Sequence, residues 1–322
     1  MPALVDPPSI DDDLSRREFV GIMIAAGLLG ACGDADGPPG AAPSTTAGPS
    51  TRTVGTAFGP VEVPATPMRV AVLNVIALDA AITVGLSPVA VIGRLSPLQG
   101  DRTASVPLRA TSLNVEALVQ QRPDLILHGA FGGKLFAGEY DTLSRIAPVV
   151  AYDFENDLRW KDYFSYFADA VGRRERGEEA LVRYQARAEE LGRKVGSSRA
   201  NLTVSVVRAR PDAVQNYSTT GFAAAILGDA GISTPQAEGR LSLERVNEVD
   251  ADHLYVFASE DDPAKAASAV EALRAQPVWG TLRAVQAGNV HEVPTYWFGF
   301  GVTEAMAVLD DLFDTLAGGR SR

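Results

Sequence analysis

Cysteine is almost absent from this chain, since Cys32 is the only one among 322 residues. One thiol cannot form an internal disulfide, and the usual interpretation of such a residue is a buried structural cysteine. Histidine is nearly as scarce, and His128, His253 and His291 lack a metal-ligand spacing such as i and i+4. We interpret each as a buried, hydrogen-bonded side chain, which argues against a dedicated zinc or manganese binder and against a metallohydrolase.

Motifs of several enzyme and nucleotide-binding classes are also missing. The sequence contains no Walker loop, no Gly-x-Ser-x-Gly elbow and no dinucleotide fingerprint. We therefore expect no enzyme, although a catalytic dyad assembled from distant residues would leave no sequence motif. Positive charge is in deficit as well, since the net charge is -11 and the pI is near 4.8. Phosphate binding needs clustered Lys and Arg, so nucleic acid is not expected as a partner.

No apolar run is long enough to span a bilayer comfortably, and the most informative one lies near the N-terminus. Residues 20–31 follow a charged segment that contains Arg16 and Arg17. A charged region followed by a short apolar run predicts a signal peptide over residues 1–31. The paired arginines resemble a twin-arginine signal, although Gly21 stands where many such signals carry a lysine.

The apolar run ends in Leu29-Gly30-Ala31-Cys32, which resembles a bacterial lipobox. Cleavage before Cys32 and acylation of its thiol would anchor the chain on the extracytoplasmic face of the cell membrane. The alternative is an ordinary signal peptide with an incidental cysteine. Residues 33–50 are mainly Gly, Pro, Ala, Ser and Thr, a composition that buries too little apolar surface to fold. We therefore expect a flexible tether over residues 32–51.

The rest of the chain has the pattern of an α/β protein with two domains. Its length and its 46% hydrophobic content allow substantial cores. Short apolar runs rich in Val, Ile and Leu alternate with helical patterns, which is typical of α/β layering. These runs predict strands at residues 70–73, 89–92, 125–128, 149–152, 202–207, 253–257 and 290–293.

A charged segment between the two halves predicts one long helix over residues 175–194. Apolar residues recur there at gaps of three and four, at Leu181, Tyr184, Ala188, Leu191 and Val195. Periodicity alone fits both a link between two lobes and a surface helix of one lobe. We assign an N-terminal lobe to residues 52–171, the linking helix to 172–198 and a C-terminal lobe to 199–322.

A weak internal repeat favours two related lobes. Glu116 precedes a strand-like run that begins at Asp124, and Glu244 precedes a similar run that begins at Asp252. The separation is eight residues in both cases. Each segment has the pattern of a helix, a turn and a buried strand.

Several segments, taken in order, resemble the siderophore and cobalamin branch of the periplasmic binding proteins of ABC importers, the class III or helical-backbone group. The resemblance covers residues 54–318, and no single segment is specific. The segments are PMRVAVL (67–73), GLSPVAVIG (85–93), NVEAL (114–118), RPDLIL (122–127), WGTLRAVQAG (279–288) and LDDL (309–312). The resemblance implies two three-layer α/β/α lobes joined by a single long α-helix, with the ligand in a shallow cleft and limited closure on binding.

The resemblance also implies a monomeric binding protein without a cofactor, which delivers its ligand to ABC permease and ATPase subunits. In the family, an exposed glutamate on each lobe is thought to engage arginines of the permease, and Glu116 and Glu244 match those positions. Opposite charges would steer and align such a transient complex. The alternative role of a glutamate that begins a helix is interaction with the helix dipole.

Candidate ligand-binding residues follow the predicted strands, because α/β lobes bind ligands at the carboxyl ends of their strands. Arginine forks suit carboxylate, catecholate or hydroxamate oxygens. The candidates are Arg94, Arg208, Arg210, Tyr217, Trp297 and Phe131, followed by Arg240, Phe222 and Trp160. Trp297 is chosen because the three consecutive aromatic residues 296–298 cannot all face inward from an extended loop.

An anionic ferric siderophore is the ligand that these residues favour. The chelator already fills the coordination shell of the iron, so the protein needs arginines and aromatic rings rather than metal ligands. Haem is an alternative, with Tyr217 or His128 as its axial ligand, and cobalamin is another. A different class of function is a membrane-anchored interaction or sensory module of the cell envelope on the same fold.

Overall fold

The computed structural model describes residues 50–131, 137–154, 157–196, 201–237, 239–258 and 263–318. The predicted signal peptide, Cys32 and nearly all of the tether lie outside these residues. The described chain begins with an antiparallel hairpin of β1 (Thr51–Thr56) and β2 (Gly59–Pro64). The hairpin is attached to the fold by hydrogen bonds, among them one from the Ala57 amide to the Ala151 carbonyl at 2.9 Å.

The first sheet is entirely parallel, in the order β5-β4-β3-β6-β7. Its strands are β3 (Val70–Val72), β4 (Ala90–Ile92), β5 (Leu108–Ala110), β6 (Leu125–Phe131) and β7 (Val149–Phe154). The accompanying helices are α1 (Val75–Thr83), α2 (Pro97–Arg102), α3 (Val115–Gln120), α4 (Ala137–Leu143) and α5 (Trp160–Ala170). All residues of β3 and β4 are buried, as expected for parallel strands covered by helices on both faces.

One long helix, α6 (Arg174–Val195), follows the first sheet and its helices. Tyr184, Ala188, Leu191 and Val195 are buried along one face, which confirms four of the five predicted positions, whereas Leu181 is only half-buried. The C-cap is Gly196, whose φ of 70° is a left-handed conformation that favours glycine and ends the helix. Most charged residues of the helix are exposed, whereas Arg187 is partly buried against the Phe313 ring and pairs with Asp310 of the C-terminal helix.

The second sheet is mixed, in the order β10-β9-β8-β11-β12. Its strands are β8 (Val204–Arg210), β9 (Ala213–Asn216), β10 (Arg240–Ser242), β11 (His253–Ala258) and β12 (Val290–Glu292). β8, β11 and β12 run parallel, whereas β9 and β10 pair antiparallel. The helices are α7 (Phe222–Asp229), α8 (Pro263–Arg274), α9 (Arg283–Gln286) and α10 (Val302–Leu316). Short 3₁₀ helices occupy Asp157–Arg159, Leu243–Val249, Trp279–Thr281 and Thr295–Phe298.

A single large hydrophobic cluster joins the two sheets. The first sheet contributes Val70, Val72, Leu125 and Leu127, and the second contributes Val204, Val206, Tyr255 and Phe257. Buried side chains of α1, α5, α6, α7 and α10 fill the space between them. Two smaller clusters cover the other face of each sheet, so each sheet lies between two apolar layers. The predicted α/β fold with two three-layer lobes and a long helix is therefore confirmed.

Candidate functional site

A cavity of about 950 Å³ opens between the first sheet and the segment that leads into α10. Its first wall is the carboxyl ends of β4 and β5 with the start of α2, and its second wall is residues 295–304. The lining residues are Val75, Val91, Gly93, Arg94, Leu95, Ser96, Gln99, Arg109, Ala110, Thr111, Thr295, Phe298, Phe300 and Glu304. We call this cavity the pocket.

Two arginines from neighbouring strands contribute positive charge to the pocket. Arg94 follows β4 after Gly93, whose φ of 142° is a conformation that side chains rarely adopt and that turns the chain out of the sheet. Arg109 is the middle residue of the edge strand β5. Both arginines are exposed and line the pocket. Arg94 was predicted from its position after a strand, whereas sequence reasoning missed Arg109.

The start of α2 forms the floor of the pocket and is fixed by a capping box. Ser96 accepts a hydrogen bond from the Gln99 amide, and the Gln99 side chain accepts one from the Ser96 amide. Pro97 occupies the first turn, where its lack of an N–H group is tolerated. The buried Gln99 side chain also donates to the Val75 carbonyl at 3.0 Å, which ties α2 to the start of α1.

The second wall corrects the prediction for Trp297. Residues 295–298 form a 3₁₀ helix rather than an extended loop, so side chains three residues apart share a face. Thr295 and Phe298 accordingly line the pocket. Trp297 points into the core, is 1% exposed and stacks on Tyr255 with ring centroids 4.4 Å apart. The lesser candidates Trp160 and Phe222 are also fully buried, in the shared core.

Arg208, Arg210 and Tyr217 are not among the described residues that line this pocket. Arg208 and Arg210 lie within β8 and not after it, because β8 continues to Arg210 by pairing with β9. Arg208 is paired with Phe257 across β8 and β11 and lies on the face that the second sheet turns toward the shared core. Tyr217 reaches the pocket only indirectly, through a ring contact with Phe298 at 5.0 Å.

Two further candidates occupy other places. Phe131 ends β6, but its side chain lies outside the described residues. Arg240 is exposed in β10 and pairs with Asp212 at 2.9 Å. Arg240 is not among the described residues that line the pocket.

Two buried carboxyl groups lie beside the pocket, and sequence reasoning missed both. Asp79 of α1 is 0% exposed, and Glu304 of α10 is 3% exposed. Burial and the neighbouring charge of Asp79 raise the pKa of Glu304 to about 7, against the opposing hydrogen bonds from Ser96 and the Phe300 amide. Burial also raises the pKa of Asp79, although hydrogen bonds from Thr303 and the charge of Arg102 oppose it.

The two predicted docking glutamates are exposed and occupy equivalent local positions. Glu116 lies in the first turn of α3, which is capped by the Asn114 side chain. Glu244 lies in the first turn of the 3₁₀ helix Leu243–Val249, two residues after the N-cap, Ser242. Hydrogen bonds from its own backbone and from Ser242 lower the pKa of Glu244, so it is ionised at neutral pH. Both positions suit an electrostatic contact and a helix-dipole role alike.

One of the three histidines is buried, and the other two form a stacked pair. His128 is 6% exposed and its Nδ1 lies 2.9 Å from the Gly129 carbonyl oxygen. His253 and His291 stack across β11 and β12, with Nδ1 and Nε2 3.1 Å apart. Across the described ranges, no group of three or more His, Cys, Asp or Glu residues is arranged to hold a metal ion.

The pocket combines charge with apolar and aromatic surface. Arg94 and Arg109 can each donate several hydrogen bonds to anionic oxygens, and Phe298 and Phe300 offer ring faces on the opposite wall. Such a mixture suits a bulky anion with aromatic or apolar parts.

In the part of the chain that the structure describes, no helix is long and apolar enough to cross a membrane.

Comparisons of this chain with known proteins agree on one family. The periplasmic binding protein family matches residues 79–296. The probable siderophore-binding lipoprotein YfiY of Bacillus subtilis is 30% identical over 321 residues, which covers 90% of this chain and 94% of that protein. The siderophore periplasmic binding protein from the fuscachelin gene cluster of Thermobifida fusca superposes with a TM-score of 0.65 at 27% identity, covering 80% of this chain and 98% of that one.

A second solved structure agrees in fold. Staphylococcus aureus SirA in complex with staphyloferrin B superposes with a TM-score of 0.70 at 24% identity, covering 83% of this chain and 98% of that one. The family match spans residues 79–296, more than half of the chain, and the alignment with YfiY covers most of both proteins. The chain therefore belongs to the periplasmic binding protein family.

Proposed function

We propose that the chain is the substrate-binding protein of an ABC importer and that it captures a ferric siderophore. The observation that carries this proposal is the pocket itself, in which Arg94 and Arg109 face Phe298 and Phe300. Guanidinium groups bind the oxygens of a ferric chelate and stack on its aromatic rings, and neither interaction requires a vacant site on the iron.

The relatives support the same ligand class. YfiY is named as a probable siderophore-binding lipoprotein, the Thermobifida fusca protein as a siderophore-binding protein, and SirA is bound to staphyloferrin B. The neighbouring alternatives, haem and cobalamin, receive no comparable support from these names. Haem would require an axial ligand in the pocket, and the described pocket lining contains no His, Tyr or Met.

The proposal includes anchoring and delivery. Acylation of Cys32 would hold the protein at the extracytoplasmic face of the membrane, which agrees with the lipoprotein name of YfiY. The exposed Glu116 and Glu244 would then contact basic residues of the permease, whose ATPase subunits drive import. The lobes at residues 52–171 and 199–322, joined by the segment 172–198, would each present one glutamate.

The experiment is a calorimetric titration of residues 33–322, which contain every described element. The panel consists of ferric enterobactin, ferrichrome, Fe(III)–citrate, ferric staphyloferrin B, haem and cobalamin. Saturable binding of one ferric chelate, without binding of its iron-free form at equal affinity, is the expected result. Binding of haem alone would identify haem as the substrate and would leave the proposed transport role unchanged. Failure of every compound to bind would refute siderophore capture and favour an envelope interaction module.

A further inference from the structure

Asp79 and Glu304 hold a short backbone segment between them where the pocket meets the shared core. The Thr303 amide donates to Asp79 Oδ2 at 3.1 Å, and the Phe300 amide donates to Glu304 Oε2 at 3.0 Å. A Cβ atom at Gly299 would overlap Glu304, and one at Gly301 would overlap Asp79. Both carboxyl groups therefore lie directly against the backbone of residues 299–301.

The local charge balance leaves these acids poorly compensated. Their hydrogen-bond partners among the described residues are backbone amides and hydroxyl groups rather than cations. Asp79 Oδ1 is buried and has no hydrogen-bond partner among the described residues. Two buried carboxylates with so few donors are costly when both are ionised, so the pair favours holding a proton.

The surrounding charged groups come from α1, α2, β5 and the segment that follows β4. Arg102 of α2 donates to the Thr303 hydroxyl at 2.6 Å and acts mainly on Asp79. Arg94 and Arg109 line the same pocket as Glu304 but are exposed to solvent, which screens their charge. Asp79 of α1 is the remaining charged neighbour, and it opposes ionisation of Glu304.

Glu304 is the member of the pair that a ligand can touch, because it lines the pocket whereas Asp79 does not. An ionised carboxylate can only accept hydrogen bonds and repels an anionic oxygen, whereas a neutral carboxyl group can donate its O–H to that oxygen. We propose that Glu304 is a specificity-determining residue that must carry a proton when an anionic iron chelate binds, so that capture is coupled to proton uptake. This inference rests on the proposed function.

The coupling has a defined direction. With the pKa of free Glu304 at about 7, the protein already holds the proton below that pH, and affinity is then independent of this group. Above that pH, binding must recruit a proton, and affinity falls by about tenfold per pH unit. The unliganded protein would thus bind an anionic chelate most tightly in mildly acidic surroundings.

The test is calorimetric titration with the tightest-binding ferric chelate of the panel, from pH 6 to pH 8.5, on the wild type, Glu304→Gln and Glu179→Gln. Glutamine is nearly isosteric with glutamate and cannot ionise, so Glu304→Gln should bind with much less pH dependence and about tenfold more tightly than the wild type near pH 8. Glu179 is an exposed acid of α6 and its variant should follow the wild type. Protonation of the chelate itself affects all three proteins equally, so the difference between their slopes of affinity against pH reports the contribution of Glu304.

Infrared spectroscopy of the protein without ligand provides an independent measurement. The carboxyl band that disappears in Glu304→Gln belongs to Glu304, so its intensity in the wild type reports the protonation of that residue. It should titrate near pH 7, and Asp79→Asn should move its midpoint to lower pH. Ionised Glu304 throughout pH 5–8, or an equal pH slope in wild type and Glu304→Gln, would overturn the inference while leaving chelate binding intact. Absence of binding at every pH would instead refute the proposed function and the coupling with it.

Discussion

Trp297 and Asp311 are joined by a hydrogen bond from the indole nitrogen to Oδ2 at 2.8 Å. The same oxygen accepts the hydroxyl of Tyr296 at 2.7 Å. One carboxylate of α10 therefore orients two of the three consecutive aromatic residues. The third, Phe298, is left to face the pocket.

Asp311→Ala should destabilise the fold and weaken binding together. Two donors lose a charged acceptor, and hydrogen bonds to charged groups contribute about 1.5–3 kcal/mol each, less where water can replace the acceptor. We expect a loss of about 2 kcal/mol in the free energy of unfolding, measured by urea denaturation. Glu179→Ala, on the exposed face of α6, is the control and should change stability little. Equal stability of the two variants would contradict the orienting role of Asp311.

Arg94→Ala and Arg109→Ala should each weaken binding of the ferric chelate roughly tenfold, which corresponds to about 1.4 kcal/mol. Each variant removes donors to the ligand from the first wall of the pocket. Arg245→Ala serves as the control, because Arg245 is exposed in the 3₁₀ helix Leu243–Val249. Unchanged affinity in both pocket variants would place the ligand elsewhere.

Charge reversal at the two exposed glutamates should separate uptake from binding. Glu116→Arg with Glu244→Arg is expected to abolish uptake of the labelled chelate in cells and to leave its affinity for the isolated protein unchanged. Opposite charges across a transient interface set its association rate and register, so reversal opposes docking. Glu179→Arg reverses an exposed charge on α6 and should preserve uptake. Normal uptake by the double variant would favour a helix-dipole role.

The pair His253 and His291 should make stability depend on pH. Burial lowers the pKa of both side chains, and the charge of His291 lowers that of His253 further. The unfolded chain therefore binds protons more readily, so this contribution to stability is present above about pH 6.5 and is lost as the pH falls through the folded values. Urea denaturation from pH 8 to pH 5 should show a steeper decline in the wild type than in His253→Gln/His291→Gln. Parallel declines would exclude the pair as the cause.

Closure around the ligand should be small. The two sheets are linked by the continuous helix α6 and also share a hydrophobic cluster, so a wide opening would expose buried apolar surface. X-ray scattering of the free and chelate-loaded protein should give radii of gyration that agree within about 1 Å. A larger decrease on loading would indicate a hinge motion and contradict this expectation.

The fold was largely predictable because its main strands are buried on both faces. Such strands appear as continuous apolar runs, and β3 and β11 were therefore found within one residue of their bounds, whereas β6 extends beyond the predicted run to Phe131. β5 was missed because it is a three-residue edge strand with Arg109 at its centre. β9 and β10 were missed for a related reason: they are short and pair antiparallel at the edge of the second sheet, with exposed Arg240 and Ser242 in β10.

The pocket was predictable only in part. Arg94 follows a strand and could be found from that rule, and the pattern from Ser96 to Gln99 is a capping box that could have revealed α2. Glu304 gave no signal, because an acid in the first turn of a helix normally interacts with the dipole at the surface. Its burial arises from the packing of α10 against α1, which brings together residues more than two hundred positions apart. Trp297 was misassigned because the 3₁₀ turn that directs it inward has no distinctive sequence pattern.

The hydrophobic cluster that spans both sheets also determines how the protein unfolds. Since Val72 and Val206 belong to the same cluster as the buried face of α6, neither half can retain its full core when the other half melts. We expect one cooperative calorimetric transition rather than two. Either half produced alone would expose that cluster to water, so we expect the two lobes to fold as a single unit despite their separate sheets.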